Sequence, residues 1–336
     1  MVKRPQSQVV SINEVAKLAG VSITTVSRVI NKFPTVKEKN RQKVLEAIKK
    51  LNYHPSPVAQ RLATGRTNVI SLVMPRYEGI FYSFYALELI KSIGNMCSVL
   101  KLDLLLRLVD GASPLNLRGI GGVIFADIIG NRNQVLQALE EKVPVVVINN
   151  FVQDLEVNCV AIDNFGGGKE ATKYLIQLGH RRIAHIAGDV VTQAAALRLE
   201  GYKEALKENN IEIKEDYIFK TDYSRAKARQ AAEKILNLQP APSAIFVASD
   251  TMALEVMAVA LEMGRQLPRD LSLVGFDDNP VSLYGPVALT TVRQPLIKMG
   301  EEAVKRLNTL MSGKEMTVEK IVLPTELVIR ESCQRV

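Results

Sequence analysis

Between residues 11 and 51 apolar positions return every three or four residues, the period of helices with one buried face. Ser11-Ile-Asn-Glu14 has the form of a capping box, in which the serine hydroxyl takes a backbone N–H and the glutamate reaches back. Ile12, Val15, Ala16 and Ala19 follow on one stripe, and Gly20 ends it because glycine takes positive φ without steric cost. After Val21 alone, Ser22 caps a second helix with Val26, Val29 and Ile30 inward; Asn31 and Pro34 mark its end. Thr35-Val-Lys-Glu38 predicts another capping box and a third helix with Val44, Leu45, Ile48 and Leu51 inward. Ser56 to Gly65 predicts a helix of two turns, with Pro57 at its first position and Val58 and Leu62 on one face. So short a helix is marginal alone in water. It is expected to order against a second copy and DNA, with Leu62 as a wedge; the alternative is a linker helix with Leu62 buried in the body.

From Asn68 onward the pattern changes to continuous apolar runs. Val69–Met74, Leu102–Leu108, Gly122–Ala126, Val143–Ile148, Arg182–Ala187, Ala244–Ala248 and Leu271–Phe276 read as buried strands. Helical stretches, such as Gly168–Leu178, Gly201–Asn209, Ala226–Leu238 and Met252–Met263, lie between most of them. This alternation predicts parallel sheets covered on both faces. A break near Gly166 divides them into two subdomains, with ligands bound beyond the carboxyl ends of the strands.

Charge sharpens the division. The 336 residues carry a net charge of +8, but residues 1–66 hold thirteen Lys or Arg against three Glu, and residues 67–336 hold thirty basic against thirty-two acidic groups. A basic headpiece on a neutral body points to a polyanion partner. Two short helices joined through a glycine turn and braced by a third make a helix-turn-helix, whose second helix enters the major groove. Its outward positions are Ile23, Thr24, Thr25, Ser27 and Arg28. The hydroxyls of Thr25 and Ser27 suit phosphate oxygens, Arg28 suits guanine, and Ile23 can touch only a thymine methyl or another apolar surface.

The residues Ile12-Asn-Glu-Val-Ala-Lys-Leu-Ala-Gly-Val-Ser-Ile-Thr-Thr-Val-Ser-Arg-Val-Ile-Asn31, with Tyr53-His-Pro-Ser-Pro-Val-Ala-Gln-Arg-Leu62, resemble the headpiece and hinge of the LacI/GalR family of bacterial repressors. The resemblance runs on through Leu178-Gly-His-Arg-Arg-Ile-Ala184, Gly201-Tyr-Lys-Glu-Ala205, Ser249-Asp-Thr-Met-Ala253 and Val274-Gly-Phe-Asp-Asp278. It implies an all-α headpiece (1–55), a hinge helix and linker (56–66), and a two-subdomain α/β sensor (67–336) of the type I periplasmic-binding-protein kind. Its subdomains would be 67–165 with 295–323 and 166–294 with 324–336, the chain crossing near Phe165, Gln294 and Pro324. By position it implies base reading by Ile23, Thr24 and Arg28, phosphate contacts from Ser22, Thr25, Ser27 and Asn31, and a minor-groove hinge at Val58, Ala59 and Leu62. Leu62 falls where the family inserts a leucine at the central step of a near-palindromic operator.

The same resemblance places an effector between the subdomains, against Phe81, Tyr82, Asn149, Thr192, Arg198, Tyr223, Ser249 and Asp277. A sugar is the favoured effector, with a purine or a phosphorylated metabolite as alternatives. Asp250, before Met252 and Ala253, reads instead as a helix cap. One segment departs from the family pattern. Relatives usually carry a helix between their second and third strands, whereas Asp110 to Gly121 reads as a loop. That bears on the usual dimer packing. The chain ends soon after Arg330, which favours a homodimer over a tetramer built on a C-terminal coil.

Enzyme signatures are missing. Phe165-Gly-Gly-Gly-Lys-Glu170 has glutamate where a phosphate loop needs Ser or Thr and reads as a helix start. No nucleotide-binding or nucleophile-elbow motif appears, and His54, His180 and His185 lack metal-ligand spacing; His180 is expected to face helix-end carbonyls. Neither cofactor nor metal is expected. The start, Met1 to Gln8, lacks the apolar core of a signal peptide, and no run is long enough to cross a bilayer. Cys97, Cys159 and Cys333 are widely spaced, as free thiols in a reducing compartment would be. These readings place the protein in the cytoplasm.

Overall fold

The computed structural model describes residues 10–31, 33–53, 67–76, 80–110, 113–126, 130–313 and 317–336. The hinge expected at 56–66, with Val58, Ala59 and Leu62, lies outside them, as does His54. The chain forms two compact units, Met1–Asn68 and Val69–Val336.

In the first unit α1 (Ile12–Ala19), α2 (Ile23–Ile30) and α3 (Glu38–Lys50) enclose a small core of Val15, Ala16, Ala19, Val26, Val29, Val44, Ala47 and Tyr53. The capping box on α1 is complete: the Ser11 hydroxyl accepts from Glu14 N, and the Ser11 N–H donates to Glu14 Oε2 at 2.7 Å. Gly20 closes the helix at φ 64°. The box expected at Thr35 does not form. Thr35 lies in a turn, α3 starts at Glu38, and Lys37 precedes it with no side-chain cap. Leu45, expected inward, is 48% exposed, and Ala47 takes its place in the core.

The second unit holds two six-stranded sheets. The first runs β11-β5-β4-β3-β1-β2, all parallel, from β1 (Val69–Pro75), β2 (Asp103–Val109), β3 (Gly122–Ala126), β4 (Val145–Ile148), β5 (Asn158–Ile162) and β11 (Lys320–Leu323). The second runs β12-β10-β9-β8-β6-β7, from β6 (Ile183–Ala187), β7 (Ile218–Lys220), β8 (Ala244–Val247), β9 (Ser272–Asp277), β10 (Thr290–Arg293) and β12 (Glu326–Val328), with β12 antiparallel to β10. The chain passes from the first sheet to the second after β5, back after β10, and over again between β11 and β12. The helices are α4 (Phe84–Leu100), α5 (Arg132–Glu140), α6 (Asn164–Gln177), α7 (Gln193–Glu208), α8 (Arg225–Leu236), α9 (Asp250–Glu262) and α10 (Leu296–Met311).

The Gly166-Gly-Gly168 run belongs to a helix start, as its sequence suggested: the Asp163 carboxylate accepts from Gly166 N at 2.7 Å at the head of α6. Its glycines serve close packing. A Cβ on Gly168 would stand 2.4 Å from the Arg198 carbonyl oxygen, so α6 and α7 cross backbone to backbone.

Between β2 and β3 no helix appears among the described residues. The loop instead lays Leu115 and Leu117, both buried, against Val73, Val123 and Phe125 of the sheet. The Gln137 amide on α5 fastens it, accepting from Leu115 N at 2.8 Å and donating to Leu115 O at 2.9 Å. Two bonds to one backbone unit make a checkable anchor. Gln137→Ala is expected to cost about 1–3 kcal/mol in urea unfolding, the range for a buried polar group stripped of its partner.

Candidate functional site

On α2 the inner face is occupied by Val26 and Val29, which turns Ile23, Thr24 and Arg28 outward. Ile23 is 50% exposed, and the exposed Arg28 guanidinium makes no hydrogen bond or ion pair with any described residue, only its backbone carbonyl accepting from Phe33 N at 2.9 Å. Ser22 and Thr25 are partly engaged: the Ser22 hydroxyl caps the helix by accepting from Thr25 N at 3.2 Å and lies 2.9 Å from the Thr25 hydroxyl. Ser27 accepts weakly from Asn31 Nδ2 at 3.4 Å. The Ser22 and Thr25 hydroxyls and the first N–H groups of the helix thus gather at its start, where the helix dipole favours an anion, whereas Ser27 lies mid-helix. Ile23, Thr24 and Arg28, expected to read bases, lie on the exposed side.

In the second unit, Arg198 on α7 organises the other site. It is 4% exposed; its Nε donates to Asn164 Oδ1 at 2.8 Å and its Nη1 to the Ala248 carbonyl at 2.6 Å. The guanidinium lies over the Phe276 ring, 3.7 Å from its centroid, and 3.9 Å from the Asp277 carboxylate. Asp277 ends β9 and also accepts from Gln294 Nε2. Burial lifts its carboxyl to about 6, against the pull of Arg198 and Gln294. Beneath it, Asp250 is fully buried and accepts from Thr291 Oγ1 at 2.5 Å and from Asn279 N at 2.8 Å. Burial first, and the Asp277 charge next, hold the Asp250 carboxyl well above its ordinary range.

The cap expected at Asp250 is therefore Ser249, whose hydroxyl accepts from Met252 N at 3.3 Å. Thr192 likewise caps α7, accepting from Ala195 N and donating to the Asp189 carbonyl. Tyr223, half-buried, donates from its backbone N–H to the Thr221 hydroxyl at 3.2 Å. Asn149 follows β4 with its side-chain oxygen buried and unpaired. Asn149, Tyr223 and Asp277 all take positive φ, at 64°, 65° and 127°. Strained backbone of this kind collects at functional sites. Phe81 and Tyr82 stand apart in a short turn before α4, 52% and 93% exposed, with no ring contact to the others among the described residues.

Two site residues escaped the sequence reading. Gln294 follows β10 and orients Asp277. Gln193 opens α7 and grips the Phe151 backbone of the first-sheet half, accepting from its N–H at 2.6 Å and donating to its carbonyl at 3.1 Å. This amide pair bridges the two halves directly. Neither glutamine carries a local motif; their partners lie 17 and 42 residues away.

The two described histidines, His180 and His185, are structural. His180 does not serve the end of α6; its ring meets the Ser243 and Ser272 hydroxyls and the Gln334 carbonyl. His185 is stacked between Tyr202 and Phe246 and donates from Nδ1 to the Phe246 carbonyl; burial pushes it down to about 3. No metal-binding cluster occurs among the described residues, and no described helix is long and apolar enough to cross a membrane.

The raised Asp277 carboxyl makes a pH prediction. Its folded pKa lies above its unfolded value near 3.8, so the folded state binds the extra proton and this group's contribution to stability falls as pH rises from about 4 to about 6. His185, depressed when folded, works in the opposite sense, losing stability as pH falls below 6.5. The difference between wild type and Asp277→Asn isolates the first effect. The variant is expected to gain stability relative to wild type across that window, read by urea unfolding at stepped pH.

Residues 11–56 match the family of bacterial regulatory proteins called lacI, and residues 172–333 match a periplasmic binding protein-like domain. The chain is 37% identical to the HTH-type transcriptional regulator DegA of Bacillus subtilis (strain 168), over 96% of this chain and 97% of DegA. It is 34% identical to the probable HTH-type transcriptional repressor ExuR of the same organism, over 97% and 99%. Its fold superimposes on the lac repressor dimer bound to operator and the anti-inducer ONPF with a TM-score of 0.82 at 27% identity, covering 97% of this chain and 100% of that one. It superimposes on the transcriptional regulator CelR–cellobiose complex with a TM-score of 0.72 at 31% identity, covering 96% and 99%. The capped recognition helix, the two-sheet body and the full-length likeness agree: the chain belongs to the LacI family of bacterial transcriptional regulators.

Proposed function

We propose that the protein is a repressor that binds a near-palindromic operator as a homodimer and is controlled by a small molecule held between the two sheets. The observation that carries the DNA half is the exposed face of α2, where unpartnered Arg28 sits with Ile23 and Thr24 in a strongly basic segment. Ile23, Thr24 and Arg28 read bases, and Ser22, Thr25, Ser27 and Asn31 hold phosphates. The hinge at Val58, Ala59 and Leu62 opens the minor groove, and the division into headpiece 1–55, hinge 56–66 and sensor 67–336 belongs to the same reading. It assigns no catalysis and places the protein in the cytoplasm, with its DNA.

For the effector we propose contacts from Asn149, Arg198, Tyr223 and Asp277, with Thr192 and Ser249 fixing the helix starts beside them and Phe81 and Tyr82 closing over the ligand. A sugar fits best. The buried side-chain oxygens of Asn149 and Gln294 lack partners, and Asp277 is a further acceptor, so the site wants donors such as hydroxyls. The CelR relative, seen with cellobiose, supports this choice.

Selection of bound fragments from random-sequence duplexes tests the DNA half. The expected result is one enriched near-palindrome whose affinity falls steeply with salt, as counterion release requires; no enriched sequence would contradict it. A thermal-shift screen of sugars, purines and phosphorylated sugars tests the effector half, with a neutral sugar expected to give the largest shift.

A further inference from the structure

The second sheet carries another concavity, at the end opposite the effector site. Ile183, the first residue of β6, lines it, about 13 Å along the strand from Ala187. Arg198 and Asp277 lie at the other end, against the Ala248 carbonyl and the last residue of β9. The cavity measures about 380 Å³, a size suited to a small molecule. Arg181, Arg182 and Lys214 bring three positive charges to it, against the single carboxylate of Glu212. All three cations are exposed, and none pairs with a carboxylate among the described residues. Elsewhere in the same half Lys169, Lys203, Arg225, Arg229 and Arg293 each reach one. Backbone carbonyls hold the two arginines instead. Arg182 Nε donates to the Ala241 carbonyl at 3.0 Å, and Arg181 Nη1 to the Asn209 carbonyl at 3.4 Å. The Lys214 ammonium lies 5.8 Å from the centroid of the Tyr217 ring, whose hydroxyl donates to the Pro240 carbonyl at 2.7 Å.

We propose that this cavity is a second binding site, taking the phosphate group of a small phosphate monoester. Such a group carries about two negative charges at neutral pH, which matches three cations less one carboxylate. Each arginine spends one N–H on a backbone carbonyl and keeps others for phosphate oxygens, to which a guanidinium donates in pairs. A fork already anchored also loses less freedom when it binds. Asn210, whose side-chain amide bonds to no described residue, adds a neutral donor at the same cavity. Ile183, Ile211 and the Tyr217 ring give it an apolar wall, which suits the carbon body of an ester better than a bare phosphate ion. The site stands apart from the cleft between the two sheets and does not depend on which effector fills it.

The test is calorimetric titration of the full chain with phenyl phosphate, inorganic phosphate and phenol at low salt. Phenyl phosphate is expected to bind at least about fivefold more tightly than inorganic phosphate, through the apolar wall, and phenol not at all. The Arg181→Gln/Lys214→Gln double variant is expected to bind phenyl phosphate about tenfold more weakly or worse, because two charged partners are gone. Both side chains are exposed, so its melting temperature and its operator affinity without added phosphate stay near wild type. Arg182→Gln, titrated in the same way, is expected to lose about tenfold as well. A wild-type chain that fails to bind phenyl phosphate, or one that binds it no better than phenol, overturns the site. So does an affinity that the double variant leaves unchanged. Equal affinities for phenyl phosphate and inorganic phosphate overturn the monoester assignment.

Discussion

Arg198→Ala is expected to cost about 3 kcal/mol or more of folding stability at neutral pH and to remove the response to effector. Arg198 is a buried cation whose bonds run to Asn164, to the Ala248 carbonyl and toward Asp277. Deleting one partner of a buried ion pair leaves the other uncompensated, which costs about 3–5 kcal/mol. The Phe276 ring also loses the guanidinium stacked on it. Asp277 can recover part of the loss by taking a proton, so the deficit is expected to shrink toward pH 5. Arg198→Lys does not rescue, because an ammonium lacks the planar fork that reaches Asn164 and Ala248 together. Urea unfolding at neutral and mildly acid pH checks the first point, and thermal shift with a bound ligand checks the second.

Arg28→Ala carries the next largest effect, on operator choice. An arginine bidentate to guanine discriminates by about 1–3 kcal/mol. The variant should therefore lose preference at one base pair in each half-site while its stability stays near wild type, since the Arg28 side chain is exposed and bonds to no described residue. Leu62→Ala should behave differently, weakening binding without changing which half-site is preferred. Parallel selections from random duplexes separate the two. Loss of preference at several positions in Arg28→Ala would mean that the whole of α2 had moved rather than that one contact had gone.

What the sequence reveals follows how local each interaction is. The Ser11 and Ser22 caps could be read because donor and acceptor lie three residues apart. Thr35 shows the limit: the same spacing occurs, but the chain turns first and α3 begins at Glu38. The loop at 110–121 was legible from its Gly, Ser and Pro, whereas the way it buries Leu115 and Leu117 depends on Gln137 across the fold. The strands β5, β7, β10, β11 and β12 went unread because they are short and several carry polar residues, and their pairing lies with distant chain. In the candidate ligand site, Arg198 and Asp277 stood out by charge and position. Asp250 looked like a cap because only its neighbours were visible; its true partners, Thr291 and Asn279, are 41 and 29 residues away. Gln193 gave no signal at all, since a glutamine at a helix start means nothing until Phe151 arrives beside it.

That bridge suggests how the two sites communicate. Gln193 joins the halves at the head of α7, the helix that carries Arg198 one turn further on. A ligand against Arg198 and Asp277 therefore bears on the residue that ties the halves together. Allosteric coupling of this kind is worth about 1–3 kcal/mol, or roughly 5- to 150-fold in affinity. The most direct measurement is the affinity of the full chain for its selected operator, by fluorescence anisotropy, with and without the compound that most raises its melting temperature. The account predicts a change of at least about fivefold in wild type and none in Arg198→Ala. A compound that binds tightly in the wild-type protein yet leaves operator affinity untouched would contradict it.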